Sequence, residues 1–211
     1  RDVLDDLVRK LPISEDTSRP RLWIDRVFAA KGAGTVVTGT LTGGSLKVDD
    51  ELELLPQHRR VRVRSLQNHH EECFDLPPGS RCALNLSGVS HDELARGDVL
   101  VSYGQWHEAT IFDASLYVLK QLDHSVSRKG AYVLYVGSGE HSVRMRVLGS
   151  NELIPGSNGM VRFYASTGLP LLPGDRFILR ESGRSETIGG GEVLDVDPQL
   201  NAVAAHPDLS V

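Results

Sequence analysis

Apolar residues along the chain follow two patterns. Between residues 2 and 11, Val3, Leu4, Leu7, Val8 and Leu11 recur at helical spacing, which predicts an amphipathic helix. Pro12 ends it, and the polar stretch through Ser14, Glu15, Asp16, Thr17 and Ser18 to Pro20 has the composition of a linker. From Arg21 the apolar residues gather into short β-like runs at 21–28, 35–41, 51–55, 61–67, 80–86 and 99–103. A second series follows at 109–119, 131–136, 142–148, 160–165, 176–180 and 190–196. No helical pattern intervenes in either series. Six strands at such spacing suit a small closed barrel better than a parallel sheet covered by helices.

The expected fold is therefore mostly β, with two consecutive small β-barrels. The expected limits are 1–20 for the end of a preceding domain and a linker, 21–104 for the first barrel and 105–198 for the second. Residues 199–211 are expected to start a linker to a following domain. The break between barrels falls near residues 102–106, where Gly104 interrupts the apolar pattern.

Composition agrees with this picture and narrows the function classes. Glycine contributes 21 of 211 residues and proline 10, which supplies the turns that many short strands need. The chain is 40% hydrophobic and 24% charged, as expected of a packed globular protein. No apolar run approaches the roughly 20 residues of a membrane helix, and no signal-peptide core opens the sequence, so a cytoplasmic monomer without a membrane partner is expected. The net charge of −5 argues against a surface covered in phosphate contacts. It leaves room for a local patch: Arg59, Arg60, Arg62 and Arg64 cluster, the last three on one face of an extended segment, although spacing alone slightly favours a solvated strand face.

Metal and catalytic chemistry find little support. Cys73 and Cys82 lack a CxxC partner or a histidine cluster, so both read as small hydrophobes, buried or partly buried. His69 and His70, adjacent on a strand, would point to opposite faces and share no metal. An enzyme using Asp25, His91, Asp92 and Glu93 is a competing reading, but no set of nucleophile, base and orienting group converges. Neither a catalytic nor a metal site is expected.

The most informative segment runs Lys31-Gly-Ala-Gly-Thr-Val-Val-Thr-Gly-Thr40. Gly32 and Gly34 allow a tight loop before a β-branched strand, and Gly39 allows a bend at its far end. The segment resembles the second domain of translational GTPases, where elongation factor Tu carries a similar Gly-x-Gly-Thr-Val-Val-Thr-Gly. Residues 43–52 and 94–100 look like later strands and turns of that domain. Ile24-Asp25-Arg26-Val27-Phe28, and Arg176-Phe-Ile-Leu-Arg180 followed by Thr187-Ile-Gly-Gly-Gly-Glu-Val-Leu194, are similar to the selenocysteine-specific elongation factors. The resemblance covers nearly the whole chain and implies barrels of the domain 2 and domain 3 type.

It also marks what is missing. No Gly-x-x-x-x-Gly-Lys-[Ser/Thr] loop or Asn-Lys-x-Asp motif is present, and Gly189-Gly190-Gly191 precedes acidic Glu192, which suits no phosphate. The fragment is expected neither to bind nor to hydrolyse GTP. GTP and Mg would belong to a GTPase domain outside it, and contact with a selenocysteine-insertion mRNA hairpin to C-terminal winged-helix domains beyond Val211.

The resemblance implies that selenocysteyl-tRNA and the ribosome are partners, with the GTPase domain supplying the other wall of the aminoacyl pocket. Asp25, Arg26 and Arg81 stand at the positions matching that pocket. In the third domain, Arg144, Arg146, Arg162 and Arg180 are candidates for tRNA phosphate contacts. Residues 134–138 lack the paired histidines that many relatives carry there, so no contact is transferred from those. Competing readings are the tRNA-binding barrels of an initiation factor γ subunit, and a purely structural interaction module.

Overall fold

Alternation of side chains decides which face of each strand turns inward. The computed structural model describes residues 15–30, 34–202 and 205; the helix expected at residues 2–11 and the loop 31–33 lie outside them. Between Gln105 and Trp106 the chain divides into two compact units.

The first unit contains β1 (Arg21–Ala30), β2 (Gly34–Thr42), β3 (Leu46–Lys47), β4 (Glu51–Leu55) and β5 (Arg59–Asn68). It continues with β6 (Glu71–Cys73), β7 (Asp75–Leu76), β8 (Arg81–Ser87) and β9 (Val99–Ser102). Antiparallel pairing runs β4-β9-β1-β2-β8-β5, and a β4–β5 pairing closes the ring, with β6 appended to β5. On β2, Val37, Gly39 and Leu41 turn inward while Val36, Thr38 and Thr40 turn outward. Cys82, Leu84 and Leu86 do the same on β8, and Ile24, Leu54, Val63 and Leu66 complete the core with exposures of 0%. Each fully buried aliphatic side chain stabilises the fold by about 1.5–3 kcal/mol.

The second unit contains β10 (Ala109–Val118), β11 (Val126–Ser127), β12 (Tyr132–Val136), β13 (Gly139–Val147) and β14 (Glu152–Leu153). It ends with β15 (Asn158–Leu169), β16 (Arg176–Glu181) and β17 (Glu186–Asp195). Its barrel closes in the order β10-β15-β13-β12-β16-β17. Phe163 is its centre, 5.3 Å from both Phe112 and Phe177 between ring centroids. Among the described residues no α-helix occurs and no helix is long and apolar enough to cross a membrane.

Both expected barrels are present, with differences in detail that have physical causes. β17 begins at Glu186 rather than near residue 190, because Gly189, Gly190 and Gly191 lack the side chains that mark a strand. They are strand residues by necessity: a Cβ on Gly189 or Gly191 would lie 2.0 or 1.8 Å from the carbonyl oxygen of Tyr117 or Ser115. Gly39 is likewise mid-strand and not at a bend; a Cβ there would lie 2.4 Å from the Trp23 carbonyl oxygen. His69 and His70 are not on a strand but form the turn between β5 and β6.

Candidate functional site

β1 pairs with β2 in continuous register except at one point. Ile24 faces Gly39 and Arg26 faces Thr38, leaving Asp25 as an extra residue in a β-bulge. A bulge breaks the alternation of faces and re-aims a side chain. Here it turns Asp25 to the outer face beside Arg26, where strict alternation would oppose them.

The Asp25 carboxylate accepts a hydrogen bond from Thr38 Oγ1 at 2.6 Å through Oδ1 and one from Arg81 Nη1 at 2.6 Å through Oδ2. Partial burial alone would raise the Asp25 pKa. The hydrogen bonds from Arg81 and Thr38, with the charges of Arg81 and more weakly Arg26, outweigh it and hold the carboxyl below its ordinary value. The hydrogen bond to Asp25 raises the Arg81 pKa in turn. Arg26 is exposed and has no ion-pair partner among the described residues. Two guanidiniums thus stand against one carboxylate, leaving a net positive site on the barrel wall.

The outer face continues in rows. Arg26, Thr38, Ala83 and Gln67 form one; Phe28, Val36, Asn85 and Ser65 form the next. A groove of about 370 Å³ runs along them, lined by Phe28, Val36, Gln67, Glu72 and Asn85 among others. Asn85 Oδ1 is buried with no hydrogen-bond partner among the described residues, an acceptor that a ligand N–H would satisfy. A recess of about 240 Å³ adjoins it, sharing Gln67 and Ala83 and lined also by Thr38, His69, His70 and Arg81. The sequence alone does not single out Thr38, Asn85 or the groove; their signal is the row pairing, which is invisible before the register is known.

Other candidates separate. In the arginine cluster, Arg59 pairs with Glu93, Arg60 stacks 3.7 Å over the Tyr103 ring and Arg62 reaches Asp49 at 3.3 Å. Arg64 is exposed at a second bulge, between Val63 and Ser65. Cys82 is buried, and burial pushes its thiol up to about 12; Cys73 is half-buried. No metal-binding group of three or more ligands occurs among the described residues.

In the second unit, Arg162 is 4% exposed. Its Nε and Nη2 donate to Asp113 at 2.6 and 2.8 Å, and Nη1 donates to the Leu200 carbonyl. It is an internal clamp and not a surface cation, which removes it from the phosphate candidates. Arg144 is exposed over the Tyr164 ring at 5.8 Å, and Arg180 donates to the Ser185 carbonyl at 2.8 Å. Arg146 lines a cavity of about 690 Å³ with Arg128 and Lys129, two cations adjacent in the chain that are not among the expected phosphate ligands.

Comparison with known proteins bears on the fold and family of both units. Residues 34–101 match the family model of elongation factor Tu domain 2, which puts the first unit among translation-factor barrels. Residues 113–200 match the model of the β-barrel domain of selenocysteine-specific elongation factor. The chain belongs to the selenocysteine-specific elongation factor family. It is 33% identical over 175 residues to that factor from Desulfomicrobium baculatum, covering 83% of the chain and 28% of the relative. With the factor from Escherichia coli strain K12 it shares 30% over 200 residues, 93% of the chain and 31% of the relative. The chain thus spans about a third of the length of these curated relatives. The solved structure of translation elongation factor SelB from Methanococcus maripaludis, apo form, has the same fold: TM-score 0.75, 24% identity, 94% of this chain and 47% of that one.

Proposed function

We propose that the chain forms the part of a selenocysteine-specific elongation factor that holds the aminoacyl end of selenocysteyl-tRNA, for delivery to the ribosome at recoded UGA codons in the cytoplasm. The observation that carries this reading is the site on the bulge of β1, with Arg26 free and Arg81 held by Asp25. A selenol is more acidic than a thiol, whose ordinary pKa is about 8.5, so selenocysteine is an anion at neutral pH where serine is not. A guanidinium is always charged and offers several donors, so it binds the selenolate and gains little from a neutral hydroxyl. Charge is the selector, and Asp25 positions Arg81.

The second unit contributes backbone contacts to the tRNA. Arg146, with Arg128 and Lys129 in the same cavity, is the first choice for phosphate; Arg144 and Arg180 are the further candidates. The chain carries no catalytic centre of its own, and GTP with its Mg binds elsewhere in the protein. The mRNA hairpin contact likewise belongs to other domains.

The test replaces Arg26 and Arg81 by Gln and compares binding of selenocysteyl- and seryl-tRNA under reducing conditions. Loss confined to selenocysteyl-tRNA is the expected result. Equal loss for both removes charge selection from the account.

A further inference from the structure

The link between β5 and β6 is two residues long. Asn68 pairs with Glu71 across it, and both linking residues, His69 and His70, have positive φ, 51° and 69°. Two consecutive left-handed residues make a type I′ turn, whose twist suits a hairpin but whose natural occupants are Asn and Gly. A residue with a Cβ is strained there, and this turn holds two of them. Among the described residues, neither imidazole has a hydrogen-bond or ion-pair partner that offsets the strain. Strain kept without internal compensation is a pointer to function.

Register supplies the second observation. β5 pairs with β8 as Ser65 to Asn85, Leu66 to Leu84 and Gln67 to Ala83. The ladder ends there, leaving His69 two residues beyond Gln67 in the turn and Arg81 two residues beyond Ala83 at the start of β8. Both histidines line the recess of about 240 Å³ together with Arg81 and Thr38, the two side chains that hold Asp25. The strained tip of one hairpin and the charged site on the bulge of another strand share one hollow.

We propose that the His69-His70 turn is a specificity element of the aminoacyl site. It holds imidazole donors at the recess beside Arg81, where they hydrogen-bond an anionic group at the 3′ end of a charged tRNA. That group is the selenolate side chain or the terminal backbone phosphate; both accept N–H bonds, and experiment separates them. The proposal rests on the functional reading above. A turn kept only for architecture would favour Asn-Gly.

The test is the double substitution His69→Asn and His70→Gly, which supplies the preferred turn residues and removes both imidazoles. Its thermal midpoint is expected to rise by at least about 4 °C. Its affinity for selenocysteyl-tRNA is expected to fall about tenfold. Binding is measured in parallel for selenocysteyl-, seryl- and uncharged tRNA, as ratios to the unaltered chain. Loss confined to selenocysteyl-tRNA assigns the histidines to the side chain; equal loss for all three assigns them to the phosphate. Unchanged affinity for all three overturns the proposal, and so does a fall in both midpoint and affinity, which marks the turn as structural. An Arg81→Gln arm keeps the two readings apart. If the unaltered chain shows no preference for selenocysteyl-tRNA and Arg81→Gln changes nothing, the functional reading fails and this proposal falls with it. If the preference is present and lost in Arg81→Gln while the histidine variant binds normally, only this proposal fails.

Discussion

Replacing Arg162 by Met should unfold the second barrel far more readily than any other arginine substitution in it. Arg162 and Asp113 are 4% and 7% exposed, joined by two hydrogen bonds. Methionine keeps much of the hydrocarbon volume but strands the Asp113 carboxylate away from water. Breaking one side of a buried pair costs about 3–5 kcal/mol, whereas replacing both partners by apolar residues is often neutral. In a barrel of roughly 100 residues each kcal/mol moves the midpoint by about 4–8 °C, so a drop of about 12 °C or more is expected. Asp113→Leu combined with Arg162→Met should recover most of it. Thermal unfolding by circular dichroism reads both variants, and urea titration gives the free energies. A cost under about 1 kcal/mol for Arg162→Met refutes the reasoning, as does a double variant no more stable than the single one.

Replacing Arg128, Lys129 and Arg146 by Gln should weaken tRNA binding uniformly across aminoacyl groups. It should also make log K fall less steeply with log salt, by a slope of about one for each phosphate the variant no longer neutralises; an unchanged slope excludes the cavity as a phosphate site. Cys82, with its thiol pushed up to about 12 by burial, should resist Ellman's reagent at pH 8 until the chain is denatured, whereas Cys73 reacts first; rapid modification of both in the native protein contradicts the burial argument. His124 is hydrogen-bonded to Asp123 at 2.9 Å and Glu181 at 3.1 Å, with Arg184 nearby, and the Asp123 hydrogen bond leads in raising its pKa. A raised folded-state pKa stabilises fully below the unfolded value of about 6.5 and is lost as pH rises through the folded value, so His124→Gln should cost more at pH 6 than at pH 8.5 in urea titrations. Equal cost at both pH values removes the ion-pair account.

Strand positions are legible in the sequence because alternation survives there: Val37, Gly39 and Leu41 alternate inward on β2 much as Cys82, Leu84 and Leu86 do on β8. The candidate site is legible only in part. Asp25 and Arg26 come together through a family resemblance, but their common face depends on a bulge that alternation denies. Arg162 resembles Arg144 and Arg146 in sequence and differs from them because Asp113 and Leu200 meet it in three dimensions. His69-His70 carries no turn signature, since neither residue is Gly, Asn or Asp, and two-residue links are usually read from those.

β17 pairs with β10 on one side and β16 on the other, and that has a consequence in time. Translation adds about 5–20 residues per second, so β10 leaves the ribosome several seconds before its partner has been made. Through that interval one long edge of the second unit stands open, with Phe112 and Leu116 uncovered and backbone donors free to pair with a neighbouring nascent chain. The strand that ends the exposure is poorly equipped to hurry. Its three central glycines fit the seam but contribute no apolar surface, leaving Ile188 and Val193 to draw it in. The geometry that makes the finished barrel tight therefore makes its last step of synthesis the most vulnerable one.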